Sequence, residues 1–154
     1  MSKIIGGLLI LSLTAFLIYF GNFVVSDVSQ KNEIKEIQIG NKNYQLELVK
    51  TSEDLRKGLS KFENIKDNQG MLFVFDKPGR WSIWMKDMKF NIDIIFLNEN
   101  KEVVTLFRNV KFENHENVFQ YRQYLPDYDS KYVIEIKEGE INNNKIKIGD
   151  KINF

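Results

Sequence analysis

The chain has 154 residues, a formal net charge of +1 from 22 basic and 21 acidic side chains, one histidine and no cysteine. The length predicts one globular domain with one appended segment, and the even charge argues against nucleic acid as a partner, since phosphate binding needs a concentrated cationic face. The lack of cysteine excludes disulfides, zinc–thiolate sites and thiol nucleophiles.

The N-terminal segment indicates attachment to a membrane. Residues 4–25 carry no charged side chain and follow Lys3. About 20 apolar residues suffice for a helix to span the hydrocarbon core. We therefore expect an uncleaved single-pass anchor, the alternatives being a cleaved signal peptide and a buried soluble helix. Because Lys3 would stay inside, the domain is expected outside the cytoplasmic membrane, or secreted if the segment is cleaved.

A polar linker, residues 26–33, leads to a predicted single β domain, residues 34–154. Apolar residues alternate in residues 44–49, and the glycine and asparagines of residues 40–43 suit a hairpin with residues 34–39. Residues 51–59 predict a short helix, because Thr51 or Ser52 can cap its start and Gly58 can close it.

The central block, residues 70–97, holds both tryptophans and three of the four methionines. Residues 71–75 are continuously apolar, the pattern of a strand buried on both faces, and residues 76–79 suit a turn. Alternation over residues 81–85 predicts Trp81 and Trp84 on opposite faces of a strand. Residues 92–97 predict another strand around Asp93.

The remainder continues in short β segments. Residues 103–107 and 132–136 predict strands, residues 118–132 a long aromatic surface loop, and residues 145–154 a final hairpin around Gly149. Several short strands with one small helix predict a mainly β fold, a compact antiparallel β-sandwich or barrel-like domain.

Several motifs in this order resemble a known family, the domain of unknown function 192. They are Gly58-Leu59, GMLFVF at residues 70–75, Trp84-Met85-Lys86, DIIF at residues 93–96, YVIEI at residues 132–136 with Gly139, and Gly149-Asp150. The resemblance covers residues 37–154. It implies a compact, mainly β domain, often behind a signal or membrane anchor in bacteria and archaea, and it implies no established activity. The chain departs from the family pattern at Asp87-Met88, where Asn-Thr is usual, and at Asn91-Ile92, where Pro-Leu is usual.

Asp93 interrupts an otherwise apolar run, and an unpaired buried carboxylate is costly. We therefore expect it to be buried and paired with Lys86 or Arg80. Its role is open between a ligand-binding or acid–base carboxylate and a structural ion pair or turn cap.

Two further chemistries fit the residue types present. Two of Asp87, Asp93 and Glu135 could form the carboxylate pair of a hydrolase acting on envelope polymers. Met71, Met85 and Met88 beside Trp84 could form a soft thioether site for Cu(I), although methionine more often fills gaps in a core.

The candidate binding site is a groove formed where the loop 118–132 covers the Trp84 face of the central block. Its predicted residues are Trp84, Lys86, Asp93, Arg122 and Tyr124. No catalytic constellation, metal or cofactor is indicated. The predicted function is a non-catalytic binding or accessory module of the cell envelope, attached to the membrane through residues 4–25, with an unidentified envelope ligand or protein as partner.

Overall fold

The computed structural model describes residues 32–154. The predicted anchor and most of the predicted linker lie outside the described residues. Within residues 32–154, none of the helices has the length and apolar character needed to cross a bilayer.

The described part is mainly β-structure with two short helices. In chain order the elements are β1 (Ile34–Ile39), β2 (Lys42–Val49), α1 (Ser52–Lys57), β3 (Gln69–Gly79), β4 (Ile83–Trp84), β5 (Ile92–Leu97), β6 (Val103–Val110), β7 (Gln123–Tyr124), β8 (Ser130–Lys137) and α2 (Glu140–Asn143). Short 3₁₀ turns occupy Gly58–Lys61 and Val118–Gln120.

Six strands form one open sheet in the order β1-β2-β3-β8-β5-β6, and β4 pairs with β7 separately. The expected mainly β class is confirmed, but the sheet neither closes into a barrel nor pairs with a second full sheet as a sandwich. It is also not purely antiparallel, because β2 and β3 run parallel. The connection between those two strands contains α1 and a 3₁₀ turn, and parallel neighbours require such a crossover.

Apolar side chains cover both faces of the sheet. The first core lies under α1 and the β4–β7 pair and includes Val49, Leu59, Met71, Phe73, Met85, Ile94, Phe96, Tyr124 and Val133. The second lies under α2 and the C-terminal segment and includes Ile37, Tyr44, Leu46, Leu72, Ile95, Ile134, Ile136, Ile141 and Ile152. Because successive residues of a strand face opposite sides, β3, β5 and β8 read as nearly continuous apolar runs.

The local signals around α1 are confirmed. The Thr51 hydroxyl accepts a hydrogen bond from the backbone N–H of Asp54, and Gly58 ends the helix with a φ of 50°. A side-chain oxygen at this position satisfies a backbone donor that the helix leaves free, and glycine adopts positive φ without strain. These caps fix where the turn Gly58–Lys61 meets the sheet.

Three longer predictions differ from the structure. Residues 76–79 belong to β3 rather than to a turn, and the loop 118–132 contains β7. The predicted hairpin at residues 145–154 is wrong. This segment follows α2 and contains a turn in which the N–H of Asp150 donates to the Lys147 carbonyl, and within it only Lys151 makes a β-bridge, to Glu102. The C-terminal segment instead covers the second face of the sheet.

Candidate functional site

A cavity of about 710 Å³ lies on the first face of the sheet, between α1, the end of β3 and the segment 81–88. This volume falls in the range of small-molecule sites, roughly 300–1,000 Å³. Its apolar wall consists of Leu55, Leu59, Phe73, Phe75, Trp81, Ile83, Trp84 and Met88. The polar wall consists of Lys50, Ser52, Arg56, Lys57, Asp76, Lys77, Ser82, Lys86, Gln123 and Glu135.

Both tryptophans of the chain line this cavity. The Trp81 ring stacks on Phe75 at 4.8 Å between centroids, and its indole N–H donates to the Lys77 carbonyl at 3.1 Å. The expectation that Trp81 and Trp84 face opposite sides of one strand is therefore wrong. Of residues 81–85, only Ile83 and Trp84 are in a strand, so the alternation of side chains between two faces does not extend back to Trp81.

The cavity carries more positive than negative side chains. Five are basic, Lys50, Arg56, Lys57, Lys77 and Lys86, and two are acidic, Asp76 and Glu135. Lys57 pairs with Glu53 at 2.6 Å and Lys86 pairs with Asp87, neither acid being in the cavity wall. Among the described residues, the other three bases form no salt bridge, and all three are exposed. Three cations therefore stand at the solvent side of an aromatic cavity.

Glu135 is the acid at the buried end. Glu135 is 4% exposed and belongs to β8. Its register partners are Met71 on β3 and Ile94 on β5. Burial raises the pKa of its carboxyl to about 8, although the backbone N–H of Leu59 donates to it and lowers the pKa. No neighbouring charge contributes to this shift, which comes from burial of the carboxyl.

The predicted groove residues divide into two groups. Trp84 and Lys86 line the cavity, whereas Asp93, Arg122 and Tyr124 do not. Tyr124 is 7% exposed and belongs to the core, with its ring at 5.3 Å from Phe107. Arg122 lies over the Tyr124 ring at 5.0 Å. The loop does reach Trp84, but it does so through Gln123, which is the register partner of Trp84 in the β4–β7 pair.

Asp93 is fully buried, as expected, but the predicted ion pair is wrong. Its Oδ1 accepts from the backbone N–H of Asn109 at 2.7 Å, and its Oδ2 accepts from the backbone N–H of Ile141 at 2.8 Å. Lys86 pairs with Asp87 instead, and the Nε of Arg80 donates to the Pro126 carbonyl at 3.0 Å.

The two amides bound by Asp93 explain its position. β5 and β6 shift register between Ile92 and Ile94, and Asn109, on the opposite strand, has a φ of 51°. A β-bulge leaves a backbone N–H without a strand partner, and the first turn of a helix does the same. Asp93 satisfies one donor of each kind, at the bulge and at the start of α2. Its position is accounted for by structure alone.

Neither alternative chemistry is assembled. Asp93 is the register partner of Ile136, and Ile94 is the partner of Glu135, so Asp93 and Glu135 lie on opposite faces of the sheet. Asp87 is exposed and outside the cavity wall. Met71 and Met85 are fully buried in the first core, and only Met88 reaches the cavity.

The sequence interpretation considered Glu135 only as one of a possible carboxylate pair, and it did not place Glu135, Arg56, Lys77, Phe75 or Trp81 in the binding site. One signal was present for Glu135. It is the charged residue inside YVIEI, a run whose neighbours are apolar on both faces, and an acid in such a run is buried whichever face it takes. The cations follow no pattern of their own, because they come from three separate segments.

The fold and the cavity together define a class of protein: an open mixed β-sheet domain with an aromatic, basic cavity beside a short crossover helix. A protein of unknown function from Novosphingobium aromaticivorans has this fold, with a TM-score of 0.68 and 24% identity over 85% of this chain and 91% of its own. A solved structure from Sinorhizobium meliloti matches with a TM-score of 0.62 and 20% identity over 78% of this chain and 90% of its own. At these identities the likeness concerns the fold alone.

Residues 35–154 match the family DUF192, described as an uncharacterized ACR family, and the chain belongs to this family. The resemblance drawn from the motifs is thus confirmed. A UPF0127 protein from Thermococcus sibiricus is 34% identical over 89 residues, which are 56% of this chain and 52% of that protein. The match spans about half the length of this curated relative.

Proposed function

We propose that the domain is a non-catalytic binding module whose cavity holds a small amphipathic anion, an apolar or ring-bearing molecule with an acidic group. The observation that carries this proposal is the combination of four aromatic side chains with an excess of cations in one cavity wall. Aromatic and aliphatic surface favours the body of such a ligand, and basic side chains bind its acid.

The arrangement supports binding better than it supports hydrolysis. Hydrolysis of a glycosidic bond commonly uses two cooperating carboxyl groups about 5–10 Å apart. Of the two acids in the cavity wall, Asp76 is exposed and contributes nothing to the pKa of Glu135. A cationic ligand is also disfavoured, because Lys50, Arg56 and Lys77 would repel it.

The binding proposal predicts a charge preference. In calorimetric titrations of the full-length protein in phosphatidylcholine nanodiscs, naphthalene-2-sulfonate is expected to bind more tightly than the naphthalen-2-yl trimethylammonium cation. Arg56→Ala is expected to weaken sulfonate binding about 10-fold, because a charge-assisted hydrogen bond is lost. The two indole N–H resonances of the ¹⁵N-labelled chain would both shift, since both tryptophans line the cavity.

Arg122→Ala is the matched control, an exposed arginine outside the cavity wall. Its affinity for the sulfonate is expected to equal that of the unmodified protein, and empty nanodiscs provide the blank. Equal affinity for the two naphthalene ions would contradict the proposal. If only Arg122→Ala loses affinity for the sulfonate, the binding site is instead the groove predicted from the sequence.

We further propose that this module works at the cell envelope, held outside the cytoplasmic membrane by residues 4–25. The support is the uncharged apolar run itself, together with Lys3 before it. The full-length protein is expected to stay in the membrane pellet after alkaline extraction, and protease added to spheroplasts is expected to digest residues 32–154.

The control replaces Leu13→Arg and Leu17→Arg together. An arginine near the centre of a spanning helix costs about 2.5–3.5 kcal/mol in insertion, so this variant is expected in the soluble fraction. Full-length unmodified protein in the supernatant would rule out an anchor. A mature protein whose N-terminus begins near residue 26 would show cleavage instead.

A further inference from the structure

Glu135 lies where a ligand filling the cavity would end. Its carboxyl is beside the 3₁₀ turn Gly58–Lys61 and the Phe73 ring: a Cβ built on Gly58 would lie 3.7 Å from Glu135 Oε2 and 3.3 Å from Phe73 Cζ. The turn therefore lies against the carboxyl, and the positive φ of 50° at Gly58 favours glycine at this position. The backbone amide of Leu59, the next residue, lowers the pKa of the same carboxyl.

The surroundings leave Glu135 without a counter-charge. It forms no salt bridge with any residue between 32 and 154. Residues that pack on its face of the sheet, Met71, Phe73 and Ile94, are apolar. A carboxyl in such surroundings holds its proton, and a neutral carboxylic acid can donate one O–H hydrogen bond. Because Glu135 lines the cavity, its O–H is available to a bound ligand.

This inference rests on the proposed function. We propose that Glu135 determines specificity by staying protonated in the complex and donating its O–H to an uncharged oxygen at the buried end of the bound anion. The acidic group of the same molecule then lies among Arg56, Lys50 and Lys77 at the solvent side. The ligand class is therefore an apolar or aromatic acid that carries a ketone, ester, amide or ether oxygen at the end opposite its charge.

The arrangement makes recognition of that oxygen sensitive to pH. The charged groups lining the cavity from the elements around Glu135 are Lys50, Arg56 and Lys57 from the α1 region, Asp76 and Lys77 from β3, and Lys86 after β4. On β5, Asp93 faces the other side of the sheet. Among these groups and Glu135, it is the Glu135 carboxyl whose pKa burial raises to about 8. The donor is lost as the pH rises through that value, because the ionised carboxylate can only accept.

Two matched probes test the inference on the full-length protein in phosphatidylcholine nanodiscs: 6-acetylnaphthalene-2-sulfonate, which carries the acceptor oxygen, and 6-isopropylnaphthalene-2-sulfonate, which has the same number of non-hydrogen atoms and no acceptor there. Calorimetry at pH 6.5 is expected to show the acetyl probe binding about 10-fold more tightly than the isopropyl probe. At pH 9.5 this preference is expected to disappear or reverse.

Three variants test whether the O–H of Glu135 causes the preference for the acetyl probe and its pH dependence. Glu135→Gln keeps an N–H donor but does not titrate, so its preference for the acetyl probe is expected at both pH values. Glu135→Met removes the donor and should show no preference at either pH. Asp76→Asn, the other acid in the cavity wall, should retain the wild-type pH profile. Circular dichroism verifies that each variant is folded before binding is compared.

The outcomes distinguish the two proposals. If both probes bind with equal affinity and without pH dependence, the role of Glu135 is wrong and the anion-binding function stands. The role of Glu135 is equally wrong if Glu135→Met keeps the acetyl preference. If neither probe binds at any pH, both proposals are overturned.

Discussion

Replacing Gly70 by alanine is expected to lower the free energy of unfolding by at least about 3 kcal/mol, because the added Cβ has no room. That atom would lie 2.3 Å from the backbone carbonyl oxygen of Glu135, 2.9 Å from Leu46 Cδ2 and 3.0 Å from Ile136 Cγ2. The closest of these is backbone in the neighbouring strand β8, which cannot move without separating β3 from β8. Gly70 is the first residue of the GMLFVF motif, and this contact gives a physical reason for glycine there.

Gly79→Ala is the matched control, because it lies at the other end of β3. There the nearest atoms to an added Cβ belong to the Trp81 side chain, at 3.3 Å. A side chain at that distance needs to shift by only a few tenths of an ångström, so the expected loss is below about 1 kcal/mol. Chemical denaturation followed by circular dichroism measures both variants. Equal midpoints for Gly70→Ala and the unmodified protein would mean that the strands can separate locally at little cost.

Asp93→Ala is expected to destabilise the domain by about 3–5 kcal/mol, since it leaves one buried and one partly buried backbone donor unsatisfied. The donors are the N–H of Asn109 at the β-bulge and the N–H of Ile141 at the start of α2. The magnitude equals what a broken buried ion pair would give, but the cause is different. The test is therefore which amides lose protection, measured by hydrogen exchange on the folded variant.

Asp93→Asn sharpens the result, because its amide keeps one acceptor oxygen and can satisfy only one of the two donors. Its expected loss is roughly 2 kcal/mol. Asp87→Ala is the control, since its side chain is 66% exposed and its pair with Lys86 is at the surface. Such pairs contribute about 0–1 kcal/mol. Rapid exchange at Asn109 and Ile141 is expected in Asp93→Ala and not in Asp87→Ala.

Asp93 shows where sequence reasoning succeeds and where it stops. Its burial followed from a single charge inside an apolar run, and that expectation is confirmed. Its partners did not follow, because every residue except proline has a backbone N–H and the sequence does not mark which ones remain free. The bulge and the helix start that supply them lie 16 and 48 residues away in the chain.

The cavity shows the same limit at larger scale. Alternation assigned Trp81 and Trp84 to opposite faces, yet the strand begins only at Ile83 and both rings line one cavity. Tyr124 and Arg122 were expected in the groove because the loop is aromatic and basic. Pairing of β7 with β4 turns Tyr124 into the core and brings Gln123 to Trp84 instead. Register, which a two-residue strand pattern cannot specify, decided this.

The sequence by itself determined the family, the mainly β class, most strand positions and the caps of α1. Each of these depends on residues only a few positions apart, whose periodicity or conformational preference can be read locally. Only the tertiary structure decided that the sheet is open, that β2 and β3 run parallel, that Asp93 binds backbone amides and that Glu135 lies at the end of an aromatic, basic cavity. Each of these depends on which distant segments meet. The apolar run around Glu135 indicates that it is buried, but only the approach of Gly58 and Phe73 shows which groups surround its carboxyl.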